Sequence, residues 1–119
     1  MSVTIDLFRN EDELEVYALG ATVFSEGQSG DKMYVVLDGE VTLSINGRRV
    51  ETIGCGGILG EMALVDSGPR SATAIATRAA QLAPITAQRF KALVRQNPEF
   101  ALQIMRVLAT RLRRMDALV

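Results

Sequence analysis

Asn46-Gly47 stands between two segments of strand character, and that arrangement narrows the fold more than any other feature of the chain. Ahead of it, Met33, Val35 and Leu37 alternate with Tyr34, Val36 and Asp38, and Val41, Leu43 and Ile45 alternate with Thr42 and Ser44. A period of two sends successive side chains to opposite faces, the pattern of a strand with a core face. Asn and Gly both tolerate φ > 0, so the pair suits a two-residue hairpin. Asp38-Gly39 reads as a second tight turn, and Gly54, Gly56 and Gly57 open the chain before Ile58-Leu59. Thr73-Ala74-Ile75-Ala76-Thr77 and Ala80-Gln81-Leu82-Ala83 predict two more strands, joined by a turn at Arg78-Ala79. Short strands with closely spaced turn signals predict a rolled β-sandwich or jelly roll over about residues 20–84.

Helical signals flank the roll. Thr86 can cap a helix running through Val94, and Asn97 followed by Pro98 is a cap with proline at the first helical position. From Phe100 onward Ile104, Leu108, Leu112, Met115 and Val119 hold one face at helical spacing, giving a helical region of about 86–119. Residues 2–20 carry Asp6, Glu11, Asp12, Glu13 and Glu15 among apolar neighbours and read as an irregular acidic lead-in with one short strand near Glu13 to Tyr17. The acidic cluster reads as a solvated face. The fold class is therefore mainly β with flanking helices. A length of 119 residues suits one domain with a core of its own.

The balance of residue types excludes several kinds of function. A net charge of −1 supplies no basic field for nucleic acid. No apolar run approaches ~18 residues, so no membrane-spanning helix is predicted. The first residues lack the form of a signal peptide, and a cytoplasmic location is the expectation. Without histidine, a His-ligated zinc, a His-held haem and a Ser-His triad are ruled out. The single cysteine, Cys55, has no internal disulfide partner and reads as a small loop or strand residue rather than a redox sensor. No metal site is expected.

The chemistry concentrates between Gly60 and Thr73. A glycine opening a short helix lets backbone N–H groups converge on an anion, and Arg70 adds a planar fork of donors suited to two oxygens of one phosphate. Glu61 would repel a bare anion. That conflict vanishes if the ligand also carries a hydroxyl donor near its phosphate, as does a ribose closed through its 3′ and 5′ oxygens with the 2′-OH free. Arg70 is then the phosphate ligand and Glu61 the acceptor of the 2′-OH. Gly60, Met62 and Ala63 contribute backbone N–H groups and close approach, and Ser71 offers a hydroxyl and an N–H. The plainer alternatives are a core-edge salt bridge of Arg70 to Asp66 or Glu61, and an acidic residue favoured by the first turn of a helix.

Gly60-Glu61-Met62-Ala63-Leu64 with Pro69-Arg70-Ser71-Ala72-Thr73 resembles the phosphate-binding cassette of cyclic-nucleotide-binding domains, as found in catabolite activators, kinase regulatory subunits and cyclic-nucleotide-gated channels. Phe24-Ser25-Glu26-Gly27 and the run from Gly30 to Val41 are similar to that family's leading strands. The resemblance implies a β-roll of the cyclic-nucleotide-binding type with a short cassette helix and a C-terminal lid helix. It implies a ligand set of Gly60, Glu61, Met62, Ala63, Arg70, Ser71 and Ala72. The inner face of the last helix would bring Leu108, Arg111, Leu112, Met115 or Asp116 toward the purine, with Met115 as the chosen contact. It implies a non-catalytic sensor of a 3′,5′-cyclic nucleotide, cAMP favoured over cGMP, that signals by repositioning this helix to an effector domain or protein partner. The same helix can also pack on a twin subunit. Catabolite activators continue into a DNA-reading domain. This chain stops at Val119, so no nucleic-acid contact is expected from it, and its Met1 start favours a free-standing protein or an N-terminal fragment. The rival from another class is a protein-interaction module of the same fold that no longer binds nucleotide. A phosphodiesterase using Glu61 and Arg70 would lack both a metal constellation and a histidine.

Overall fold

Two 14-residue strands, β3 (Lys32–Ile45) and β6 (Thr73–Thr86), run antiparallel from the pair Lys32↔Thr86 to the pair Ser44↔Thr73 and form the spine of the molecule. The computed structural model describes residues 13–65 and 67–117, with side chains as far as Arg114. Asp6, Glu11, Asp12 and Val119 of the sequence reading lie outside the described residues. Each long strand changes neighbour part-way along. β6 pairs with β1 (Glu15–Tyr17) through Ala80–Leu82 and with β2 (Thr22–Phe24) through Ala74 and Ile75. β3 pairs with β5 (Ile58–Leu59) through Tyr34 and Val35, and with β4 (Arg48–Ile53) through Val41–Ile45. All these pairings are antiparallel, which gives the rolled sheet expected from the turn spacing. The sheet reaches from Glu15 to Thr86, somewhat beyond the expected 20–84.

The changes of partner fall where the ribbon bends. Register shifts between Val36 and Val41 mark bulges in the β3–β6 pair. Gly39 sits there at φ +89°, and a Cβ on it would overlap the backbone of Ala79. Asp38-Gly39 is therefore a bend inside one strand and not the turn expected. For the same reason Arg78-Ala79 does not end a strand: Glu40↔Arg78 keeps the ladder going, and the expected two strands are one. Asn46 (φ 53°) and Gly47 (φ 78°) do form the predicted hairpin turn between β3 and β4.

Alternation along β3 serves two cores. Tyr34, Val36, Val41 and Leu43 enter the roll, where Phe24, Ile53, Leu59 and Leu82 meet them. Met33 and Val35 face the other way, onto Ile58, Ile85, Phe100 and Ile104. Burial on both faces explains why residues 33–37 read as a nearly continuous apolar run. The second core is closed by α2 (Ala87–Gln96) and α3 (Pro98–Ala117). Thr86 caps α2 by accepting from the Arg89 N–H at 3.2 Å, and the helix runs to Gln96, beyond the expected Val94. Pro98 opens α3 as predicted, and Phe90 meets Phe100 edge-on with centroids 6.0 Å apart.

Phe100 and Ile104 are buried, and Val107 and Leu108 are packed against the same core. Leu112 departs from the expected face: it is 61% exposed. At 3.6 residues per turn the inward place after Leu108 is taken by Arg111, which reaches back to the sheet. Among the described residues no helix is long and apolar enough to cross a membrane. Phe100→Ala is expected to lower stability by about 3–5 kcal/mol through lost burial and a residual cavity, measured by urea unfolding.

Candidate functional site

β5 carries its two residues into different cores, Ile58 among the helices and Leu59 inside the roll, and so fixes where the next residue stands. That residue is Gly60, at φ +79°. A Cβ there would lie 2.7 Å from Arg70 Nη1 and 3.2 Å from the Lys32 carbonyl, so the position has no room for a side chain. Glu61 follows, buried, and then α1 (Met62–Val65), a single turn of 4 residues. The Ala63 N–H reaches back to the Gly60 carbonyl at 3.3 Å. Because its own N–H is engaged in this way, small Ala63 serves the corner chiefly by leaving space.

Arg70 arrives on the returning loop and is 7% exposed. Its backbone is clamped to the connection after β2: Gly27 N–H donates to the Arg70 carbonyl, and Arg70 N–H donates to the Gln28 carbonyl, both at 2.8 Å. The guanidinium lies over the Phe24 ring, 4.2 Å from its centroid, a cation–π contact. A Cβ on Gly30 would overlap that guanidinium, so Gly30 too is kept bare by it. Nη1 donates to the Gly60 carbonyl at 3.2 Å, while Nε is buried with no hydrogen-bond partner. Burial holds the Arg70 pKa below its ordinary value, with Tyr34 and Asp31 partly offsetting the shift. A buried unpaired donor is unfavourable by about 1–3 kcal/mol, a deficit that an anion at this corner would remove.

The opposite wall comes from α3 and β4. Arg111 pairs through Nη1 with the buried Glu61 carboxylate. Its Nε donates to Glu51 Oε1 at 3.0 Å, and its Nη2 donates to Glu51 Oε2 at 3.3 Å and to the Ile58 carbonyl at 2.6 Å. Arg114 approaches Glu51 Oε1 at 3.4 Å. Between the walls lies a cavity of about 480 Å³, of the size that small-molecule sites occupy. Its lining is apolar along Phe24, Leu43, Ile45 and Val50, and charged at Glu51, Glu61, Arg70, Arg111 and Arg114.

Seven of the residues singled out from the sequence line this one cavity: Gly60, Glu61, Met62, Ala63, Arg70, Ser71 and Ala72. The eighth, Met115, lies on α3 with its side chain outside the described residues, as does Asp116, and Asp66 lies outside the described residues altogether. Arg70 has the Gly60 carbonyl as its polar contact here, and the partner of Glu61 is Arg111. Of the other helix residues considered, Arg111 faces the cavity, Leu108 packs in the helical core and Leu112 is exposed. Phe24, Gly30, Glu51 and Arg114 were missed as members of the site. Leu43 and Ile45 were readable as one face of β3, but nothing in the local pattern around Glu51 distinguishes it from any strand residue exposed to solvent.

With this geometry in place, comparison with known proteins identifies the family. Residues 14–97 match the cyclic nucleotide-binding domain. The cyclic AMP receptor protein of Thermus thermophilus is 33% identical over 117 residues, covering 94% of this chain and 54% of that protein. A CRP-like cAMP-activated global transcriptional regulator of Mycobacterium tuberculosis is 32% identical over 100 residues, covering 80% of this chain and 45% of the regulator. The crystal structure of Thermus thermophilus catabolite activator protein superposes with a TM-score of 0.82 at 33% identity, covering 95% of this chain and 55% of that one. The chain belongs to the cyclic nucleotide-binding domain family. It spans about half the length of these relatives. Gly30→Ala drives a methyl group into the Arg70 guanidinium and is expected to weaken cyclic-nucleotide binding on the order of tenfold or more, measured by calorimetric titration alongside circular dichroism of the fold.

Proposed function

We propose that this domain is a non-catalytic sensor of a 3′,5′-cyclic nucleotide, cAMP in preference to cGMP, whose occupancy is passed on through the position of α3. The buried Arg70 with its unpaired Nε, set across a cavity from a carboxylate, is the observation that carries this reading. Arg70 takes the phosphate. Glu61, held through Oε1 by Arg111, accepts the ribose 2′-OH, and an ionised carboxylate has lone pairs enough for both donors. Gly60 allows close approach, Met62 and Ser71 flank the phosphate, and Ala63 and Ala72 leave room for it. The apolar wall of Leu43, Ile45 and Val50 suits the faces of a purine. The preference for cAMP is supported by the relatives, whose names specify cyclic AMP. A non-catalytic role is supported by the relatives, whose names are those of a receptor protein and a transcriptional regulator.

Arg111 belongs to α3 and Glu61 to the cassette, so the group that meets the ribose also holds the helix. A ligand shifts the placement of α3 only by its differential affinity for the two placements, and this shared ion pair is where such a difference can arise. The signal then goes to an effector domain or a protein partner.

Calorimetric titration with cAMP, cGMP, 5′-AMP and 2′-deoxy-cAMP tests the reading. Tightest binding is expected for cAMP, with Arg70→Ala reducing affinity on the order of a hundredfold because a desolvated phosphate loses its counter-charge. Undiminished binding by that variant, or no binding by the folded wild type, would overturn the assignment.

The outer side of α3 supports a second element of the proposal, a homodimer. Leu102, Met105, Ala109 and Leu112 are exposed at spacings of three, four and three, the a/d seam of a two-stranded coiled coil. A second copy of the same helix is the occupant such a self-complementary stripe fits. Leu112→Glu is expected to convert a dimer to a monomer in sedimentation equilibrium.

A further inference from the structure

Glu51 lies on β4, outside the cassette, yet its carboxylate is in contact with two arginines of α3. A guanidinium is a flat group with few edges. Glu51 occupies the edge formed by Arg111 Nε and Nη2, at 3.0 and 3.3 Å, and this leaves Nη1 facing the other way, onto Glu61. The Ile58 carbonyl, at 2.6 Å from Nη2, fixes the same plane from the backbone of β5. Glu61 itself is buried, and among the described residues Arg111 is the cation that pairs with it. Glu51, ten positions before Glu61 and on β4, together with the Ile58 carbonyl thus leaves Nη1 directed at the Glu61 carboxylate. Arg114 adds a second positive charge beside Glu51 and ties the next turn of α3 to β4.

We propose that Glu51 is a positioning residue for ribose recognition: its two-oxygen grip on Arg111 aims that side chain at Glu61 and pins α3 to β4. The inference rests on the reading of Glu61 as the acceptor of the 2′-OH. It separates two tasks within one site. Arg70 sets how strongly the phosphate is held, whereas Glu51, acting through Arg111, sets how strictly the 2′-OH is required. A lysine in place of Arg111 would have no fork to be gripped, so the effect of Glu51 should vanish in that background.

The experiment compares cAMP with 2′-deoxy-cAMP, and with cGMP as a third ligand, on the full chain by calorimetric titration, for wild type, Glu51→Gln, Arg111→Lys and the double variant. The fitted stoichiometry reports the fraction of competent protein, so the ratio of the two affinities is unaffected by partial unfolding. Glu51→Gln is expected to shrink the wild-type preference for cAMP by about tenfold, the effect of losing one charge-assisted hydrogen bond at the ribose. In the Arg111→Lys background it is expected to change the preference little further. Should Glu51→Gln fail to fold, Glu51→Asp, which keeps the charge but shortens its reach, carries the same comparison. An unchanged ratio in Glu51→Gln overturns the inference, as does an equal further loss in the Arg111→Lys background. A change confined to the ratio of cAMP to cGMP overturns it in favour of direct contact between Glu51 and the base. Wild type that binds neither nucleotide overturns the underlying reading of the site, and the inference with it.

Discussion

The cavity end of this domain is arranged around a guanidinium kept out of water. Arg70 is held there by several weak constraints: backbone hydrogen bonds to Gly27 and Gln28, the Phe24 ring beneath it and the Gly60 carbonyl at its tip. None of them neutralises its charge. An arginine buried against carbon and peptide groups is an unsatisfied cation, and the natural remedy is an anion from outside. The surrounding architecture can be understood as the means of holding that cation at a fixed place without satisfying it.

The same end of the molecule contains a second arginine treated in the opposite way. Arg111 is supplied with acceptors from β4, β5 and the cassette, and these bring the helix and the roll together. One arginine is left partly unpaired; the other is almost fully paired. β5 joins the two systems, because Leu59 is packed in the roll and Ile58 in the helical core while its carbonyl receives Arg111. The packing of α3 and the environment of the cassette therefore meet at a two-residue strand.

Much of this was legible in the sequence because local chemistry determined it. Asn46-Gly47 has few alternatives to a hairpin, Thr86 and Pro98 mark helix starts, and Gly60, Glu61 and Arg70 were singled out together and line one cavity. The parts that were not legible depend on long-range contact. Gly39 reads as a turn glycine, but its bareness is required by the backbone of Ala79, forty residues away, so the strand bends and continues. Leu112 fits the apolar period of α3, yet the inward position beside it is better filled by Arg111, whose charge finds Glu51 and Glu61 already waiting. Glu51 carried no signal because its role is defined by a helix sixty residues further along the chain.

Two glycines border the Arg70 side chain, Gly30 in the connection before β3 and Gly60 at the start of the cassette, and neither has space for a methyl group. The arginine is thus one member of a three-position set whose parts are meaningless alone. Grafting it onto a related roll that carries alanine at either glycine would produce a collision rather than a socket. The mark of this corner is the empty space kept around the charge.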